Sequence, residues 1–193
     1  MKRNLILAGV GGQGLLALAA VIGEAARSSG LHVKQAEVHG MAQRGGVVQS
    51  HLRYSDRPIH SALVQEGTAD LILSLEPMEA LRYVPYLADG GAVVTNVVPV
   101  KNIPDYPEED GILKELQRLP VHRVIDAAAL AKQAGALQAG NMVMLGAGAP
   151  FLSLSREALE TGIRTVFAGK ADRVIEINLE AVRLGWEASD AAS

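Results

Sequence analysis

The chain contains no cysteine. Disulfides, thiolate nucleophiles and cysteine-held iron–sulfur clusters are thereby excluded together, so any redox chemistry has to use a bound organic cofactor or a second chain. Basic charge is not in excess either: 18 Lys and Arg stand against 21 Asp and Glu, a net charge of −3. A long positive face is not expected, and neither is a nucleic-acid partner. No apolar run reaches the roughly 18 residues that a membrane span needs. Lys2 and Arg3 ahead of an apolar stretch imitate a secretory signal, but four glycines and Gln13 interrupt that stretch. The expectation is a cytoplasmic protein without membrane contact. His32, His39, His51, His60 and His122 lack the spacing of a metal site. No serine sits in a G-x-S-x-G turn, so a hydrolase is not supported.

What is present points to globular order. Of the 193 residues, 49% are apolar and 20% charged, and a chain this long buries roughly 70% of its unfolded surface. One domain, 1–193, is expected. "NLILAGV" reads as a strand buried on both faces. Leu15, Leu18, Ala19, Ile22 and Ala26 then follow at helical spacing, and Gly30 suits the helix C-terminus. "LHVKQAEV" is a second strand, so residues 3–38 read as a βαβ unit. Residues 39–46 read as a loop. "VVQSHLRYS" is a strand with Val48, Ser50, Leu52 and Tyr54 on one face and Val47, Gln49, His51 and Arg53 on the other. "ADLILSL" and "GGAVVTNVV" are further strands around a helix at 77–86, followed by the surface loop "VKNIPDYPEED". A helix at 109–118, the strand "VHRVIDA", and helices at 127–135, 141–150, 155–168 and 176–187 complete the chain. The alternation implies an α/β fold, a Rossmann-like doubly wound sheet with a helical C-terminal third.

Gly9-x-Gly11-x-x-Gly14 matches the dinucleotide fingerprint in the right strand-turn-helix context, and Glu37 ends the second strand near the position of a ribose-binding acid. Three readings remain open here: a dinucleotide site, glycines needed only for packing, or a site for another phosphate such as that of coenzyme A. In a usual dinucleotide site the second strand turns into a helix. Here it runs into His39-Gly40-Met41-Ala42-Gln43-Arg44-Gly45-Gly46 and another strand. Arg44 in that loop suits an anion or a partner carboxylate. Gln49, His51 and Arg53 form either a polar surface beside the turn or a solvated strand face. Asn141 reads as a helix N-cap, as does Asp126; Glu76-Pro77 suits a helix start. Glu76 and Asn96 also stand where strand ends line a ligand crevice.

Taken in order, "GVGGQG", "EVHGMAQRGGVVQSHLR", Tyr106-Pro107, "AGNMVMLGA" at 139–147 and "NLEAVRLGW" at 178–186 resemble the small (beta) subunit of indolepyruvate ferredoxin oxidoreductases. More broadly, the chain is similar to the gamma-type subunit or fused domain of the 2-oxoacid:ferredoxin oxidoreductases, whose last helix usually reads N-x-x-A-F-x-x-G; Val182 stands here for the phenylalanine. The resemblance runs from about residue 4 to 186. It implies an accessory subunit, inactive alone, of an enzyme that oxidatively decarboxylates aryl 2-oxoacids to aryl-acetyl-CoA. A large catalytic subunit would carry thiamine diphosphate and iron–sulfur clusters, with CoA as co-substrate and ferredoxin reached indirectly. No cofactor is expected on this chain alone, which also lacks the G-D-G…N-N thiamine diphosphate motif. Gly9, Gly11, Gly12, Gln13, Gly14, Glu37, His39, Arg44, Gly45, Gly46 and Asn141 would face an anion, a cofactor or the partner, and no residue is assigned a catalytic role. The partner would cover an apolar surface including Leu63-Val64 and Val97 to Val100, which leaves homo-oligomers open to the isolated chain. The competing readings are a free-standing NAD- or flavin-binding Rossmann protein, the gamma subunit of a pyruvate or 2-oxoglutarate enzyme, and an anion-sensing module.

Overall fold

The computed structural model describes residues 1–39, 46–101 and 103–191, with His39 described by its backbone only. The central strands coincide with apolar runs, while β2 is largely polar, and most helices are amphipathic, α5 being buried nearly all round. Strands are β1 (Lys2–Val10), β2 (His32–His39), β3 (Val47–Ser55), β4 (Ala69–Ser74), β5 (Leu87–Asn96) and β6 (His122–Ile125). Helices are α1 (Leu15–Ser28), α2 (Pro77–Arg82), α3 (Glu109–Gln117), α4 (Ala127–Ala134), α5 (Gly140–Gly148), α6 (Arg156–Val166) and α7 (Asp172–Ala191). Helix α7 is longer than its apolar periodicity suggests. Asp172 in its first turn complements the helix dipole there, where the hydrophobic pattern carries no signal.

Among the described residues the six strands form one sheet in the order β2-β3-β1-β4-β5-β6. β1, β4, β5 and β6 are parallel neighbours, while β3 runs antiparallel to both β1 and β2. The βαβ unit read at 3–38 is therefore split: β3 lies between its two strands. Strand periodicity places alternate residues on opposite faces, and the core divides accordingly. Leu5, Leu7, Leu71 and Leu73 pack with α1, α5 and α6. Ile6, Ala8, Ile72 and Val93 pack against Ala80, Ile112 and Leu116 of α2 and α3. Each fully buried Leu or Ile contributes about 1.5–3 kcal/mol, and the strands at the sheet centre bury both faces. No described helix is long and apolar enough to cross a membrane.

Local signals act as their chemistry requires. Gly30 closes α1 after the cap residue Ser29 by accepting the left-handed conformation, at φ 78°. The Asp126 carboxylate accepts from Ala129 N at 2.9 Å and caps α4. Glu76 caps α2 ahead of Pro77, accepting from Glu79 N at 2.8 Å.

Glu79 is the strained member of this corner. Its Oε2 accepts from Arg82 Nε at 3.1 Å, but Oε1 is buried with no hydrogen-bond partner among the described atoms. Burial holds its carboxyl above the ordinary carboxylate range, so the folded chain keeps this proton to higher pH than the unfolded chain. For a raised pKa the contribution to stability is fully present below the unfolded value and is lost as pH rises through the folded one. Glu79→Met removes the orphaned oxygen at similar volume. We expect it to raise stability by about 1 kcal/mol at neutral pH, with the gain shrinking as pH falls below the ordinary carboxylate range; urea unfolding at both ends of that window checks it.

Candidate functional site

The carboxyl ends of β1 and β4 part at the centre of the sheet, since β1 continues into α1 on one face and β4 into α2 on the other. In open α/β sheets ligands bind at such a switch point. Here it holds a crevice of about 300 Å³ lined by Gly12, Gln13, Gly14, Leu75, Asn96 and Asn141, among others.

The glycine turn that forms its floor is held by side chains from inside the chain. Gln13 folds back over the turn: its Oε1 accepts from Val10 N at 2.7 Å, and its Nε2 donates to Leu75 O at 2.9 Å. That amide ties the end of β1 to the end of β4. It also explains Gly9, where a Cβ would come within 2.8 Å of Gln13 Oε1. Gly14 is left-handed at φ 83° and its carbonyl accepts from Asn141 Nδ2 at 3.0 Å, while a Cβ there would meet the same nitrogen at 2.6 Å. Gly14 thus answers two needs, a positive φ and room for Asn141. Asn141 Oδ1 accepts from Met142 N at 3.0 Å. Gly11 N donates to Gly46 O at 2.8 Å, joining the turn to the start of β3. Gly12 stays exposed, and a Cβ there meets nothing within 4 Å.

Sequence expectation and geometry differ at several positions. Asn141 is not the N-cap of α5: Ala139 is, without a side-chain bond, and Asn141 lies inside the first turn as a staple to Gly14. Glu37 sits on β2, opposite Ser50 of β3, which in turn faces Leu7 of β1. Two strand spacings put it about 10 Å from β1 in the sheet plane, where a ribose-binding acid on the neighbouring strand is needed; the carboxylate of Glu37 has partners of its own. His39 is in register with Val48 and, through it, with Gly9, so its backbone does lie level with the turn. Arg44 and Gly45 lie outside the described residues. Neither His51 nor Arg53 forms a polar surface at the turn; His51 is not solvated either, while Arg53 is half-buried. His51 is buried, its Nδ1 accepts from Val64 N at 3.0 Å, and burial lowers its pKa. Arg53 pairs with Asn4 at the opposite end of β1, bonding Asn4 Oδ1 at 2.9 Å and Ser61 O at 2.7 Å. Glu76 and Asn96 are also committed to the fold. Glu76 accepts from Tyr106 Oη and from Val100 N, and Asn96 Oδ1 accepts from Ala127 N at 3.1 Å.

Gln13, Asn96 and Asn141 therefore all spend hydrogen bonds on backbone. None of the described residues lining the crevice is ionisable, which leaves no acid or base there for proton or hydride chemistry. Among the described residues no group of three His, Asp or Glu converges on a metal site. What the edge does offer is apolar. Leu16 (50% exposed), Leu137 (63%), Val38 (50%) and Val98 (42%) all stand at the carboxyl end of the sheet. Leu16 was findable in the sequence, since it falls outside the Leu15-Leu18-Ala19-Ile22 stripe that faces the core.

Comparison with known proteins identifies the family. The family model described as pyruvate ferredoxin/flavodoxin oxidoreductase matches residues 4–188. The chain is 36% identical over 195 residues to the indolepyruvate oxidoreductase subunit IorB of Archaeoglobus fulgidus, covering 96% of this chain and 94% of the relative. It is 38% identical over 200 residues to the subunit of the same name from Pyrococcus horikoshii, covering 96% and 95%. Among solved structures, the keto/oxoacid ferredoxin oxidoreductase gamma subunit of Geobacter sulfurreducens superposes with a TM-score of 0.71 at 25% identity, over 98% of this chain and 99% of that one. On the extent of these matches and on the shared fold, the chain belongs to the pyruvate ferredoxin/flavodoxin oxidoreductase family, as a gamma-type subunit.

Proposed function

We propose that this chain, acting over 1–193 as one gamma-type domain, is the accessory subunit of a cytoplasmic, ferredoxin-linked oxidoreductase that decarboxylates aryl 2-oxoacids such as indolepyruvate. The reaction joins the acyl carbon to CoA, releases carbon dioxide and passes two electrons to ferredoxin. The observation that carries the reading is the end-to-end likeness to indolepyruvate oxidoreductase subunits. The geometry supports it in that the Gln13 and Asn141 side chains at the glycine turn are committed to backbone within the chain. Thiamine diphosphate and iron–sulfur clusters do not fit this chain: it has no thiolate, and no described acidic or histidine cluster is available to a bound metal. Those groups belong to a larger partner in this reading.

The test is anaerobic, CoA- and indolepyruvate-dependent viologen reduction by the large subunit with and without this chain. We expect activity only with both; activity of the large subunit alone, or of this chain alone, overturns the proposal. Arg44→Ala, assayed the same way, separates docking from CoA placement through complex formation and KM for CoA. The docking face in this reading is the carboxyl edge. Leu137→Asp puts a charge on its most exposed leucine, and about a tenfold loss of affinity for the partner is expected from a buried unpaired charge, with the unfolding midpoint unchanged. Unchanged affinity removes that edge from the interface.

A further inference from the structure

The far end of the sheet carries a larger opening than the glycine crevice. β1 begins there and β3 ends there, about 23 Å along β1 from Gly9 at ~3.3 Å per strand residue. The cleft measures about 590 Å³ and is lined by Lys2 from β1, Arg53 from β3, and Arg57 and His60 from the loop that follows. A smaller cavity of about 350 Å³ shares Lys2 and Arg53 with it, so the two form one trough.

Its charge runs against that of the chain. The protein has a net charge of −3, yet four basic side chains line this cleft beside a single carboxylate, Asp56, which is already held by the Met1 amino group. Arg53 is fixed by its bonds to Asn4, Ser61 and Leu63, which use Nε and Nη1 and leave the N–H groups of Nη2. The side chains of Lys2, Arg57 and His60 donate no hydrogen bond among the described residues. One rigid guanidinium among three uncommitted basic groups is an arrangement suited to phosphate oxygens. Pro58 and Ile59 add an apolar wall to the same opening.

Shape decides between a small ligand and a flat protein contact. The cations come from two chain stretches, the start of β1 and residues 53–60, onto a concavity, and the volume lies within the ~300–1,000 Å³ of small-ligand sites. We propose that this trough binds a small phosphorylated molecule with a ring or apolar portion, of the size of a nucleoside diphosphate. Lys2, Arg53 and Arg57 receive the phosphates, and the Pro58-Ile59 wall receives the ring.

The proposal is independent of the accessory-subunit reading, and its test uses the full chain alone. ADP is titrated calorimetrically at about 50 mM salt, where charge screening is weak. Saturable binding with a dissociation constant of order 100 μM is expected. The Lys2→Ala/Arg57→Ala double variant, which touches neither the core nor the Arg53 anchor, should bind about tenfold more weakly from the loss of two charge-assisted contacts. Inorganic pyrophosphate, having nothing to place on the apolar wall, should also bind about tenfold more weakly than ADP. Leu137→Asp, at the other end of the sheet, should leave ADP binding unchanged. Absence of binding at millimolar ADP, an unaffected double variant, pyrophosphate binding as tightly as ADP, or loss of binding in Leu137→Asp each overturns the assignment.

Discussion

Alanine at Gly146 or at Gly185 is expected to destabilise the protein by at least about 3 kcal/mol, the upper range for overpacking. Helices α5 and α7 cross at these two glycines with backbone against backbone. A Cβ on Gly146 would overlap the Val182 carbonyl, and one on Gly185 would overlap the Val143 carbonyl. Neither obstacle is the movable end of a side chain, so relief requires the helices to separate. That opens the layer holding Met142, Val143 and Leu145, all fully buried. Thermal or urea unfolding reads the loss directly. Gly111→Ala is the matched control: it sits inside α3 with no atom within 4 Å of its would-be Cβ, and alanine there should stabilise by about 0.5–1 kcal/mol through helix propensity. A midpoint for Gly146→Ala within error of the parent would contradict the crossing described above.

Gln13→Glu is expected to cost about 2 kcal/mol at neutral pH, and its pH dependence distinguishes a staple from a ligand contact. Glutamate keeps the acceptor for Val10 N, but sets a second carboxylate oxygen against Leu75 O, where the native amide donates at 2.9 Å. That arrangement favours the protonated acid, so the introduced group's folded pKa is raised. Stability equivalent to the parent is then present at low pH and lost as pH rises through the raised value. Urea midpoints of parent and variant at acid and neutral pH should converge at the acid end. If Gln13 served only a bound molecule, the two proteins would unfold alike at every pH.

These glycines and amides show why some of the molecule was legible in the sequence and some was not. Strand and helix positions followed from periodicity, because the apolar faces of β1, β3, β4 and α1 are each written in consecutive residues. Caps were legible where they act locally, as at Asp126, Glu76 and Gly30. Strand order was not, since nothing in residues 47–55 records that β3 enters between β1 and β2, and that insertion removes Glu37 from the reach of the turn. Long-range partners were equally silent. Asn141 looks like a cap from its neighbours alone, and its role is decided by Gly14, 127 residues away. His51 and Arg53 were misplaced for the same reason: their partners Val64, Ser61 and Leu63 belong to a loop with no periodic signature. The family motifs "GVGGQG", "GNM" and "NLEAVRLG" turn out to describe one contact system. Gln13 and Gly14 meet Leu75 and Asn141, and α5, which carries Asn141 in its first turn, is crossed by α7 at Gly185.

The insertion of β3 also sets a timetable for synthesis. β1 leaves the ribosome first but has no neighbour close in sequence: its partners are β3, ending at Ser55, and β4, ending at Ser74. At ~5–20 residues per second, both flanks of β1 become available roughly 3–13 s after it emerges. Until then an apolar strand of seven buried residues waits unpaired, a natural substrate for a holding chaperone. Closure of the glycine turn by Asn141 comes later still. The edge bearing Leu16 and Leu137 is therefore completed only after Asn141 has been made.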